Sequence, residues 1–332
     1  MVKVLVVTGS GRSGTSSIAG TLKRLGLHVP QPEVEADERN PLGYYEPQWV
    51  AEFHKSWLDA VPVRTIDTRP TVAEIALASL TPEREEALAA WLAAELASRP
   101  ADDVVVVKET RAYLVYPLWQ RVVPASGGDL ISLTMLRHPA QVVRSRDTAY
   151  LSERPDEMRR QRETGNVAAW MNSVFVTERA TRGNPRAFVP YLDLLADWRA
   201  AVGRACSQLG IDPGSLDRPH PVDDFVTPSL NRSDDGWAGL STPPALVELA
   251  ERTWDAARRL VIDPVDAGAM ALLDGLQAEY VELYRASKAI VSDETTNALR
   301  AQRLRFQERL DVKNERLERL RARVRELEGS RP

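Results

Sequence analysis

The stretch Val4-Leu5-Val6-Val7-Thr8-Gly9-Ser10-Gly11-Arg12-Ser13-Gly14-Thr15-Ser16 decides the fold class. Its apolar run reads as a strand buried on both faces, and its glycines let the chain turn tightly out of that strand. The backbone N–H groups of Ser13 to Ser16 then open a helix toward an anion. Ile18, Leu22 and Leu25 recur at helical spacing, Gly26 can end the helix, and Thr15, Ser16 and Ser17 suit its first turn. A Walker A loop with the spacing set by Gly9 and Gly14 would demand lysine at the next position. Thr15 stands there and the loop's cation is Arg12, which turns the reading away from ATP.

With 332 residues and 43% apolar content, the chain can bury one large core or two modest ones. A net charge of −4 gives no global attraction to nucleic acid. The opening Val4 to Val7 is too short for a signal peptide or a membrane span, so a cytoplasmic location is the expectation. Cys206 is the sole cysteine, which excludes an internal disulfide and a cysteine-rich metal site. Its neighbours Val202, Ala205 and Leu209 suggest a helix packing position.

The body alternates helix-like and strand-like segments. Thr81-Pro82-Glu83 has the form of a helix start, and Leu88, Trp91, Leu92 and Leu96 continue it as an amphipathic helix. Val104 to Val107 and Leu130 to Leu136 read as further buried parallel strands. Each ends in cations: Lys108-Glu109-Thr110-Arg111 after the first, Arg137-His138-Pro139 after the second. Ligands collect at the carboxyl ends of strands in open α/β sheets, so Arg12, Lys108, Arg111 and Arg137 are expected to converge on a polyanion. Ser145 lies about two helical turns beyond Arg137 and reaches the same anion if the chain folds back at Pro139.

On these residues the sequence resembles the sulfotransferase family, in particular the bacterial carbohydrate and natural-product type, whose donor is 3′-phosphoadenosine-5′-phosphosulfate (PAPS). The loop Arg12-Ser13-Gly14-Thr15 is similar to the family's 5′-phosphosulfate loop, and Arg137 with Ser145 to the pair that holds the donor's 3′-phosphate. The segments Asn40 to Glu46, Val107 to Arg111 and Tyr191 to Leu195 extend the resemblance, and Val226 to Arg232 is similar to a late loop that returns to the nucleotide. Two departures stand out: Arg12 replaces the lysine of many relatives, and Lys-Glu-Thr-Arg replaces their common Lys-Asp-Pro-Arg.

The resemblance implies a three-layer α/β fold of the P-loop nucleotide-kinase-like type with a central parallel sheet, occupying residues 1–290 with helical insertions on the acceptor side. It implies donor contacts from Gly11, Arg12, Ser13, Gly14, Thr15, Ser16, Arg137, Ser145 and Arg232, and no metal requirement. The implied reaction is in-line displacement at sulfur, yielding 3′,5′-ADP and a sulfated hydroxyl. Arg12 would stabilise the leaving group, with Lys108 as a second cation. Glu46, between Tyr45 and Trp49, is the first candidate for general base, and Glu33, Glu35, Glu109 and the more remote His54 compete with it. Tyr44, Tyr45, Trp49 and Trp57 are candidates for stacking on an acceptor, or for filling a core. Two other functions fit the same loop: a small-molecule kinase, against which the missing Walker lysine counts, and a non-catalytic nucleotide-binding interaction protein.

Residues 291–332 form a charged helix by pattern. Leu299, Phe306, Lys313, Leu320 and Leu327 share one heptad position, and Arg303, Leu310, Leu317 and Val324 another, as in a short coiled coil. A homodimer through this helix is one expectation, and packing on its own domain or recruitment of another protein are the others.

Overall fold

The computed structural model describes residues 1–38, 40–150, 156–230 and 236–329. Arg232, expected at the nucleotide, lies outside the described residues. Strand β1 (Lys3–Gly9) leads into α1 (Thr15–Arg24), and α2 (Gln48–Asp59), α3 (Val72–Leu77) and α4 (Pro82–Ala97) precede β2 (Val104–Lys108). Helix α5 (Tyr116–Ala125) precedes β3 (Asp129–Leu136), and α6 (Pro139–Tyr150) and α7 (Asp156–Thr181) precede β4 (Arg186–Pro190). The chain continues through α8 (Tyr191–Ala196), α9 (Trp198–Leu209), α10 (Pro221–Phe225), α11 (Pro244–Arg259), α12 (Ala267–Ile290) and α13 (Ser292–Gly329).

The four strands are parallel in the order β2-β1-β3-β4. Their apolar runs are continuous because successive residues feed opposite cores. Val4, Val6, Val105 and Val107 join one cluster with Val50, Trp57, Leu88 and Leu92, while Leu5, Val7, Val104 and Val106 join another with Ile18, Leu22 and Trp198. This is the three-layer α/β arrangement that the resemblance implies, with the buried parallel strands that the apolar runs predict. Helix α4 starts at Pro82 behind an extended Thr81 and buries Leu88, Leu92 and Leu96, as its pattern indicates. Cys206 is buried on α9, and burial pushes its thiol up to about 11.

Strand β1 has β2 on one side and β3 followed by β4 on the other, so the winding reverses between β1 and β3. A crevice therefore opens at the carboxyl ends of those two strands. Register places Val7 beside Lys108 and Gly9 beside Met135. The glycine loop, the end of β2 and Arg137 consequently sit at one edge of the sheet.

The chain divides into two compact units, Met1–Glu279 and Tyr280–Pro332. Among the described residues, no helix is long and apolar enough to cross a membrane.

Candidate active site

The loop after β1 is shaped by backbone conformations that favour glycine. Gly9 and Gly14 have φ of 139° and 90°, and Arg12 itself is held at 74°. A Cβ on Gly14 would lie 2.2 Å from Cδ2 of Tyr191, so helix α1 begins directly against that ring. Gly14→Ala is expected to destabilise the protein by about 2 kcal/mol or more, through both strain and overpacking. An unchanged urea midpoint for this variant would show that the turn is not constrained in this way.

Gly14 is the N-cap of α1 and, among the described residues, no side chain caps the helix, so the N–H groups of its first turn are open to an anion. The carbonyl groups of the loop are drawn the other way. Arg146 Nη2 donates to the Gly11 carbonyl at 3.2 Å, and Arg137 Nη1 to the Arg12 carbonyl at 3.0 Å. Two guanidinium groups thus hold the lone pairs that would otherwise repel an anion.

Arg137 is 6% exposed, and its guanidinium carbon lies 4.4 Å from the centre of the Tyr191 ring. Tyr191 donates to the Leu230 carbonyl at 3.1 Å, and Trp170 Nε1 donates to the Arg137 carbonyl at 3.1 Å, fixing ring and backbone. Burial, together with the charge of Arg12, holds the Arg137 guanidinium below its ordinary value, although an arginine keeps its proton at neutral pH. Helix α6 starts at Pro139 and carries Ser145 back to the loop, where Arg12 Nε donates to Ser145 Oγ at 3.1 Å. The loop and the Arg137–Ser145 pair, separated in sequence and each expected to meet an anion, are therefore neighbours, with the exposed Arg12 side chain between them.

The other wall comes from β2 and the segment before α2. Lys108 is 2% exposed, and its ammonium donates to Glu46 and, at 3.4 Å, to Ser16 Oγ in the first turn of α1. Glu46 is placed by its neighbours on both sides. Tyr45, with φ of 55°, turns its ring into the core against Phe225 and donates to the Leu42 carbonyl at 2.6 Å. Val34 N donates to the Glu46 carbonyl at 2.9 Å, and Gln48 N to the Pro32 carbonyl at 2.9 Å. With Tyr45 anchored, Tyr44 and Glu46 face Lys108, whose Nζ is 5.9 Å from the centre of the Tyr44 ring. Asn40 Nδ2 ties this segment to Ser16 Oγ at 3.2 Å.

The competing acids have different surroundings. Glu33 pairs with Lys23, near the far end of α1 from the loop, and Glu35 is exposed. Glu109 is 1% exposed with both oxygens engaged, by His54 Nδ1 at 2.6 Å and by Arg111 Nε at 2.7 Å. Burial alone would raise its carboxyl, but the hydrogen bonds and charges of His54 and Arg111 outweigh that and hold it below the ordinary carboxylate value. Arg111 also reaches the Ala51 carbonyl at 2.9 Å, so its guanidinium is spent on α2 instead of joining the loop cations as expected. Trp57 is fully buried and bonds Ser79, and Tyr45 is likewise a core residue. Of the four aromatic candidates, these two fill the core.

Sequence reasoning gave no role to three contributors. Arg146 turns the Gly11 carbonyl, Tyr191 supports both Gly14 and Arg137, and Asn40 joins the acid-bearing segment to α1. Asn40 and Tyr191 each open a segment that carries the family resemblance, and Arg146 directly follows Ser145, but those signals mark segments and not the contacts they make.

No protein-family model matches the sequence, and no curated protein matches it. Among solved structures, the structural neighbours are sulfotransferase domains. The chain is similar to the sulfotransferase domain from the Synechococcus PCC 7002 olefin synthase, with 19% identity over 76% of this chain and 94% of that one and a TM-score of 0.42. It is similar to the sulfotransferase domain from the curacin biosynthetic pathway, with 15% identity over 73% and 82% of the two chains and a TM-score of 0.37. A sulfotransferase from Mycobacterium tuberculosis H37Rv is also similar, at 15% identity over 69% of this chain and 72% of that one, with a TM-score of 0.37. Likenesses of this size assign no residue a role and identify no acceptor.

Proposed function

We propose that this chain is a sulfotransferase that moves the sulfuryl group of PAPS to a hydroxyl of a carbohydrate or other small-molecule acceptor. The observation that carries this reading is a meeting of groups at one helix N-terminus: the loop with exposed Arg12, the Arg137 and Ser145 pair, and Lys108 joined to Glu46. These groups suit a donor with two separate oxyanion ends. Uncapped N–H groups with Thr15 and Ser16 would hold the phosphosulfate, and Arg137 with Ser145 the 3′-phosphate, once the Arg12 side chain leaves Ser145.

Glu46 would accept the proton of the acceptor hydroxyl as the new oxygen–sulfur bond forms. Arg12 and Lys108 would stabilise the bridging oxygen as its bond to sulfur breaks and 3′,5′-ADP departs. Arg12 serves here as a fixed charge and a planar donor, since a guanidinium does not release its proton at any working pH.

Calorimetry with adenosine 3′,5′-bisphosphate, against ATP with magnesium, tests the donor assignment. The bisphosphate is expected to bind, and labelled PAPS is expected to lose its sulfuryl group to members of a hydroxyl panel. Tight binding of ATP with no response to the bisphosphate would reverse the choice in favour of a kinase. Binding of the bisphosphate with no transfer across the panel would favour a nucleotide-binding interaction protein.

A further inference from the structure

Helix α13 spans Ser292–Gly329, and at 1.5 Å per residue its thirty-eight residues reach about 57 Å. Every side chain described in it is exposed, including Leu299, Phe306, Leu310, Leu317 and Leu320. A run of large apolar side chains along one face of an exposed helix marks a surface for a partner. The spacing of four from Phe306 to Leu310 and of three from Leu310 to Lys313 fixes the seam. Arg303, Leu310 and Leu317 occupy a positions, and Phe306, Lys313 and Leu320 occupy d positions.

The flanks of that seam then have a definite charge. The g positions are Arg309, Arg316 and Arg323, and the e positions are Gln307, Asn314 and Arg321. Between Arg300 and Arg325 the helix carries ten basic residues against four acidic ones. Arg321 is paired within the helix to Glu318 at 2.8 Å. Among the described residues, Arg309 and Arg316 have no carboxylate within ion-pair distance.

A second copy of this helix fits the seam poorly. In a parallel pair, g faces e of the following heptad, so Arg316 would meet Arg321 of the second copy, and Lys313 would meet its own equivalent at a buried d position. In an antiparallel pair g lines g, which sets the arginine stripe against itself. Both arrangements bring like charges together along an otherwise apolar contact. A helix with acidic residues at e, and acids opposite Arg303 and Lys313, would satisfy the stripe and the seam together.

We propose that α13 is a recruitment helix, pairing in parallel with an acidic heptad helix of another protein in preference to its own copy. This does not depend on the sulfuryl-transfer reading. The test uses the full chain and two synthetic three-heptad peptides with Ile at a and Leu at d, one bearing Glu at e and g and the other Lys. Fluorescence anisotropy is expected to show the Glu peptide binding about tenfold or more tightly than the Lys peptide, with the gap shrinking as salt rises. The Arg309→Glu, Arg316→Glu double variant is expected to invert the preference, a result that general apolar stickiness would not give. Equal binding of the two peptides, or binding of neither, overturns the proposal. So does a stable homodimer in sedimentation that Leu310→Asp with Leu317→Asp dissociates, or binding to phosphatidylserine vesicles with no response to the acidic peptide.

Discussion

Replacing Glu46 by Gln is expected to lower sulfuryl transfer by roughly a hundred- to ten-thousand-fold, the range a positioned general base supplies. Affinity for adenosine 3′,5′-bisphosphate is expected to stay close to that of the wild type. The amide keeps the shape of the acid, and the Val34 bond and the Tyr45 anchor that place residue 46 act through other atoms. The amide cannot take a proton from the acceptor. Lys108 is nearly fully buried, so the loss of its counter-charge is also expected to cost stability, on the order of a few kcal/mol for an unmatched buried charge. Single-turnover transfer, bisphosphate calorimetry and urea unfolding separate these effects. The double variant Glu46→Gln with Lys108→Met is expected to recover stability; its transfer stays low in either case, because Lys108 is itself assigned to the leaving group, so the single variant alone tests the base. Near-normal turnover in Glu46→Gln removes that assignment.

Glu109→Gln supplies the contrasting result. The carboxyl of Glu109 is depressed by its partners, so its stabilisation is present above the ordinary carboxylate value of 4.5 and is lost as pH falls through the lower folded value. Its replacement is expected to lower stability at neutral pH and flatten the acid limb of the unfolding profile, with a smaller effect on transfer than Glu46→Gln.

The parts of this site legible in sequence are those set by local pattern. Buried parallel strands show as unbroken runs such as Val104 to Val107, and a loop that feeds a helix shows in its glycines and in Ser and Thr at the first turn. The cations after β2 and β3 could be placed at the sheet edge because strand ends define it. Which acid faces the loop could not be read, because Glu33, Glu35 and Glu46 occupy one connection and differ only in tertiary surroundings. Lys23 binds Glu33 at one end of α1, while Lys108 binds Glu46 at the other. The same holds for Glu109 and Arg111. A strand-end Lys-Glu-Thr-Arg looks like four polar residues available to a ligand, yet the acid and the arginine are taken by His54 and the Ala51 carbonyl, more than fifty positions away. No local periodicity encodes that pairing.

The two arginines assigned to the donor, Arg12 and Arg137, should separate by the step they affect. Arg12 is exposed and, among the described residues, its side chain has one hydrogen bond given by the fold, to Ser145, so Arg12→Ala leaves the loop backbone and the Arg137 contact to its carbonyl in place. It is expected to reduce turnover by roughly a hundred- to a thousand-fold, as loss of a charge-stabilising donor does, with a much smaller change in bisphosphate affinity. Arg137 is buried under Tyr191 and bonded to the loop backbone, and Arg137→Ala removes a desolvated cation from the place assigned to the 3′-phosphate. Bisphosphate affinity is expected to fall by about 2 to 5 kcal/mol, the cost of truncating one partner of a buried charge pair. Arg137→Lys is not expected to restore it, because an ammonium cannot bond the Arg12 carbonyl, lie flat on the ring and fork toward a phosphate at once. Calorimetry and single-turnover transfer on the same three variants decide the matter. If Arg12→Ala loses affinity and keeps its chemical rate, while Arg137→Ala does the reverse, the donor is bound the other way round and the assignment of leaving-group stabilisation to Arg12 fails.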